Sequence, residues 1–145
     1  MNHILMALDF SAFSPEVEKV GYALAKKIDA SVTLVTIINK AIDYVPLDTG
    51  QVFENQWEAR KDLALKSLQE VQDRHTDIPT EIVSFIGDPK EDIIDLSIKK
   101  HTTFIVMGTH GRTGMMHLVT GSTAEYIIRH SVIPIIVVPV NKQRH

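Results

Sequence analysis

The chain has 145 residues, with 15 Lys and Arg against 18 Asp and Glu, a formal charge of −3 and no cysteine. That length suits one domain with a single core, and the charge offers no basic field to hold nucleic acid or anionic lipid. The missing thiols exclude disulfides, thiolate catalysis and cysteine-ligated zinc, and agree with a reducing compartment.

The opening "MNHILMALDFS" lacks the basic n-region of a secretory signal. The longest apolar segment, Val132 to Val140, is far shorter than the ~20 residues of a membrane-spanning helix. The expectation is a soluble, cytoplasmic protein with neither a nucleic-acid nor a membrane partner, forming one domain over residues 1–145.

The first apolar run, "HILMALD" (3–9), has strand length and composition. Ser14, Pro15 and Glu16 then give an N-cap followed by proline at the first helical position, and Val17, Val20, Leu24 and Ile28 form a helical stripe. "SVTLVTIIN" (31–39) reads as the second strand and is followed by the one long connection, Lys40 to Gln51. A connection of that length is either a lid or a variable surface loop. Phe53, Trp57, Ala64, Leu68 and Val71 mark the second helix, which makes Trp57 a core residue, while "ARKDLALK" reads as its solvated face with internal charge pairs.

"TEIVSFIG" (80–87) is the third strand, and "DPKED" (88–92) repeats the cap and proline device before a weaker stripe of Ile93, Leu96 and Lys100. "TTFIVMG" (102–108), a helix through Ala124, Ile127, Ile128 and Ser131, and "IPIIVVP" (133–139) complete a β-α-β-α-β-α-β-α-β order. Strands that are apolar almost throughout are buried on both faces, and helices alternating with them place right-handed crossovers over a parallel sheet. The fold expected is a doubly wound α/β domain with five parallel strands and four helices.

Four of the seven glycines fall in "GTHGRTGMMHLVTGST", Gly108 to Thr123, directly after the fourth strand. Ligands of open α/β sheets sit beyond the carboxyl ends of the strands, at the point where the strand order reverses. Gly108 closes a strand, and Gly121, Ser122 and Thr123 open the last helix, whose free N–H groups and dipole suit an anion. Gly121 would admit a phosphate without a Cβ in the way, the two hydroxyls can donate to it, and Arg112 would add charge. Ser122 taken alone reads first as a plain N-cap, and it is the four glycines within sixteen residues that point to a phosphate. No Gly-Lys pair exists for a P-loop, and "ALDFSAFS" stands where a dinucleotide fingerprint would be.

"GTHGRTGMMHLVTGST", continued by "AEYIIRHSVIPIIVVP", resembles the signature of the universal stress proteins, whose ATP-binding members carry G-x-x-G, nine residues, then G-[ST]. "ILMALDFS" and "GDPKEDII" are similar to that family's first strand and third-strand exit. The resemblance implies strand order 3-2-1-4-5, the adenine nucleotide alpha hydrolase-like arrangement, with ATP across the switch point.

It further implies that Gly108 and Gly111 line ribose and phosphates, that Gly121, Ser122 and Thr123 hold the phosphates, and that Asp9 faces the nucleotide. Ile37 would meet adenine, with Met107 and Ala7 nearby and Arg112 in the loop. Magnesium, if it accompanies the nucleotide, would use Asp9. The fifth strand is then an apolar edge bounded by Pro134 and Pro139, which a homodimer through that strand would cover.

Asp9 is the most informative carboxylate: beside phosphates it needs a metal or ribose donors, and it can instead cap the first turn through "DFS". Among the seven histidines no metal-ligand spacing stands out; His110 and His117 flank the glycine loop. Three functions compete. They are a nucleotide-dependent regulatory protein, a slow ATPase or adenylylating enzyme of the same architecture, and an interaction protein that needs no nucleotide. The strings S-G-G-x-D-S and H-x-G-H of adenylylating families are absent.

Overall fold

We describe the fold from a computed structural model over residues 1–10, 14–40, 56–109 and 122–139. Its elements are β1 (Asn2–Ala7), α1 (Ser14–Ile28), β2 (Ala30–Ile38), α2 (Gln56–Arg74), β3 (Thr80–Ile86), α3 (Pro89–Lys99), β4 (Phe104–Gly108), α4 (Ser122–His130) and β5 (Ile135–Val138). The strands form one sheet in the order β3-β2-β1-β4-β5, and every neighbouring pair is parallel. The order expected from the family resemblance is therefore the order observed.

Strand alternation divides the core in two. Ile4, Met6 and Leu8 of the first strand segment pack with Val17, Tyr22 and Ala25 of α1 and with Leu68 and Val71 of α2. Leu5, Val35, Ile105 and Met107 point the other way, onto Ile93 of α3 and Ala124 and Ile127 of α4. Right-handed crossovers that run one way along the sheet place α1 and α2 on one face, and the reversal after β3 places α3 and α4 on the other. The carboxyl ends of β1 and β4, adjacent in the sheet, are where that reversal opens a crevice.

Local chemistry sets the boundaries. Asp88 is the N-cap of α3: its carboxylate accepts from the Lys90 N–H at 3.0 Å, with Pro89 at the first helical position. β1 stops at Ala7, two residues before the run of apolar and acidic residues suggested, because Phe10 takes a left-handed backbone (φ 58°) and turns the chain out of the sheet. β5 begins only at Ile135, since Pro134 has no N–H to give a ladder. Glu18 of α1 receives both Arg74 and His75 from the end of α2, at 2.9–3.0 Å, and the Tyr22 ring stacks on His75 with centroids 3.6 Å apart. Burial pushes the Glu18 carboxyl up, but the hydrogen bonds from Arg74 and His75 outweigh it and hold the group below its ordinary value.

Trp57 does not take the core role its stripe suggested. The buried residues of α2 begin at Ala64, and the half-buried indole instead lies between cations, with Lys40 Nζ at 5.9 Å and the Arg60 guanidinium carbon at 5.8 Å from its ring. A half-buried aromatic ring of this kind is stabilised by cations at its face. The solvated face expected around it is present, with Lys61 paired to Glu58 at 2.9 Å.

At the amino end of the sheet His3 bridges two hydroxyls, Ser31 Oγ at 2.8 Å and Thr33 Oγ1 at 3.0 Å, while its backbone is tied to Thr103. Burial, then the Lys100 charge, depresses the His3 pKa from 6.5, and Glu81 opposes them. A histidine whose pKa is lower in the folded state stabilises the fold fully above pH 6.5 and loses that contribution as pH falls through this value toward the folded pKa. Chemical denaturation of the parent and of His3→Gln between pH 7.5 and 5 should therefore show a steeper acid loss in the parent. Equal slopes would remove His3 from the acid response.

Candidate functional site

The crevice is built from strand ends that are lashed together. Leu8 N–H donates to the Val35 carbonyl at 2.9 Å, Gly87 N–H to Ile38 at 3.0 Å and Thr109 N–H to Val138 at 3.1 Å, so the ladder continues past the formal end of each strand. The buried Thr36 hydroxyl donates to the Leu8 carbonyl at 2.8 Å and fixes the exit of β1 against β2. A polar site framed this way needs little reorganisation to receive a ligand.

Of the residues singled out from the sequence, Ala7, Ile37 and Met107 lie on the α3/α4 face of the sheet, in or against its core. Gly108 ends β4 and pairs with Val138. Asp9 stands just beyond β1, half-buried, and its Oδ1 accepts from the Ser14 hydroxyl at 3.2 Å. Ser14 is itself buried at the first turn of α1. The bond from Ser14 ties the Asp9 carboxylate to the start of the first helix.

Ser122 is the exposed first residue of α4, and Thr123 follows it half-buried. Glu125 falls in the first turn of α4 and Arg129 and His130 in the last, which complements the helix dipole. Gly111, Arg112 and Gly121, together with His110, His117, Phe53 and the connection beyond Lys40, lie outside the described residues.

Sequence reasoning overlooked two features. Ser14 was legible only as a helix cap, yet it orients Asp9. Phe85 was legible only as a strand residue, yet β3 pairs it with Ile37 at the open end of the sheet. Among the described residues no group of three or more His, Asp or Glu could hold a metal ion, and no helix among them is long and apolar enough to cross a membrane. Asp9 as a lone carboxylate fits magnesium only in the manner of an ion that keeps most of its waters and is shared with phosphates.

Strand ends open at the switch point, with a helix N-terminus beside them, define a doubly wound α/β protein whose fold is capable of binding a nucleotide. Residues 1–139 match the family model of the universal stress protein family. A curated relative, the universal stress protein MJ0531 of Methanocaldococcus jannaschii, is 32% identical over 143 residues, covering 93% of this chain and 80% of its own. The chain belongs to the universal stress protein family.

Among solved structures, that of MJ0577 from Methanocaldococcus jannaschii superposes with a TM-score of 0.83 at 23% identity, covering 98% of each chain. The universal stress protein from Archaeoglobus fulgidus solved in complex with dAMP gives a TM-score of 0.61 at 19% identity, over 95% of this chain and 98% of that one. These likenesses establish the fold.

Proposed function

We propose that this protein is a small cytoplasmic stress-response regulator that binds ATP in the crevice and uses it as a conformational ligand. The observation that carries the reading is convergence. Ala7, Ile37 and Met107 on one face of the sheet, Asp9 at the β1 exit and Gly108 at the end of β4 are placed by three adjacent strands, with the N-terminus of α4 following the glycine stretch.

An apolar floor with a few backbone partners suits a purine, Asp9 accepts from ribose hydroxyls, and Ser122 and Thr123 donate to phosphate beside the free N–H groups of α4. In this reading Gly111, Arg112 and Gly121 complete the phosphate site, and Asp9 would hold magnesium, which would supply positive charge to the phosphates. The dAMP bound by the Archaeoglobus protein of the same fold supports an adenine nucleotide as the ligand.

Turnover is slow in this reading. Fast phosphoryl transfer needs a fixed metal, a cation for the γ-phosphate and a group that orients water; the sequence offers Asp9 as a metal carboxylate and Arg112 as a cation, and no Walker lysine. The apolar edge strand β5 pairs with its two-fold copy to form a homodimer.

The test is to denature the purified protein, identify any released nucleotide, and titrate with ATP. Stabilisation of about 2.7 kcal/mol is expected at a hundredfold excess over Kd. Absence of both bound nucleotide and stabilisation would favour the interaction protein. Single-turnover hydrolysis at the ~1–100 s⁻¹ of kinases would favour the enzyme. Light scattering of the same sample should give twice the chain mass.

A further inference from the structure

We propose that Phe85 is the specificity-determining residue for the base in the crevice: its ring forms the far wall of the base slot and sets how long a base is accepted. The inference rests on the nucleotide reading given above and names the part of the ligand that the sheet itself measures.

The strand order gives the direction. Phosphates held at α4, which follows β4, place the ribose near the β1 exit and the base over β2, so the nucleotide runs along the strand ends from β4 toward β3. Three strand spacings separate β4 from β3, about 14 Å in all. A purine joined to ribose through its five-membered ring then directs the far edge of its six-membered ring, with the exocyclic amine, at β3.

Phe85 is the residue that stands there. It is the register partner of Ile37, both lie half-buried against the α3/α4 core, and they are the last side chains of β2 and β3 on that face. The Phe85 ring leans toward the exit, its Cε2 lying 3.3 Å from the position a Cβ on Gly87 would occupy.

The strand exit next to the ring is held by hydrogen bonds. Gly87 N–H is bonded to the Ile38 carbonyl, and the Asp92 carboxylate accepts from the Asp88 N–H at 2.8 Å. The same carboxylate fills the space beside Gly87, where a Cβ would come within 2.0 Å of its Oδ2. The ring therefore lies beside a strand exit and a helix start that are held by their own hydrogen bonds.

The experiment is isothermal titration of the full chain with ATP and with N6-benzyl-ATP, for the parent, Phe85→Ala and Phe85→Leu. Removing a ring from a close-fitting apolar wall changes discrimination by about tenfold or more. The parent should prefer ATP by at least that factor, Phe85→Ala should bring the two affinities close to parity, and Phe85→Leu should shift the ratio the same way by less. The ratio is internal to each sample, so a general loosening of the fold, which weakens both ligands together, does not imitate the effect.

Equal binding of both ligands by the parent, or an unchanged ratio in both variants, overturns the role of Phe85 while leaving ATP binding intact. No ATP binding by the parent overturns the nucleotide reading itself, and Phe85's role with it.

Discussion

ATP affinity is expected to fall by about a hundredfold in Ser122→Asp, with the melting temperature of the free protein unchanged or slightly raised. Ser122 opens α4, where a hydroxyl and free N–H groups would face the phosphates. Losing a hydrogen bond to a charged group costs about 1.5–3 kcal/mol, and a carboxylate in the same place adds repulsion. The helix itself does not suffer, because Ser122 is the first residue of α4 and a carboxylate in the first turn suits the positive end of the dipole.

Ser122→Ala separates the two effects, since it loses the hydroxyl and adds no charge; about a tenfold loss is expected of it. Gly121→Val should abolish binding by placing a branched side chain where the phosphate would lie. If Ser122→Asp and Gly121→Val both titrate like the parent, the phosphates are not at α4.

Ile127→Ala should cost about 2–5 kcal/mol of stability, the range for truncating a fully buried isoleucine, and should weaken ATP binding although Ile127 lies a full turn away from Ser122. α4 has nine residues, too few to be helical on its own. Its attachment runs through Ala124 and Ile127, 2% and 0% exposed, which share a buried cluster with Leu5, Ile105 and Met107 of the sheet and Ile93 of α3. Removing the larger of these two side chains leaves the helix held mainly by its smaller one, and the N–H groups at its start lose their fixed direction. Denaturant titration gives the first quantity and ATP titration the second. A large loss of stability with unaltered ATP affinity would mean that the phosphates do not depend on how α4 is seated.

The elements were legible because their signals are local. The cap and proline at Asp88 and Pro89 act within three residues, and the stripe of Ala64, Leu68 and Val71 needs only the helical period to be seen. The same locality misled at Trp57, which continues the stripe of α2 but precedes the first buried residue of that helix, Ala64. Nothing within a few residues of Trp57 distinguishes a position over the sheet from one outside it.

The candidate site was legible in part for a related reason. Gly108 and Ser122 declare themselves by glycine spacing and helix start, and Asp9 by ending an apolar run. Which other side chains share their end of the sheet depends on pairings the sequence does not display. Ile37 meets Phe85 through the register of β2 and β3, His3 meets Thr103 a hundred residues away, and Ser14 reaches Asp9 because Phe10 turns the chain through a left-handed residue.

By itself, then, the sequence determined the alternation of strand and helix, the doubly wound class and the glycine-marked strand end, because hydrophobic period, capping and turn chemistry are properties of neighbouring residues. Only the tertiary structure decided which face each strand residue serves, which helix covers it and which side chains of different strands meet at the open ends of the sheet. Those outcomes are set by strand register and by the direction of the crossovers, where a shift of one residue would send every side chain to the opposite face.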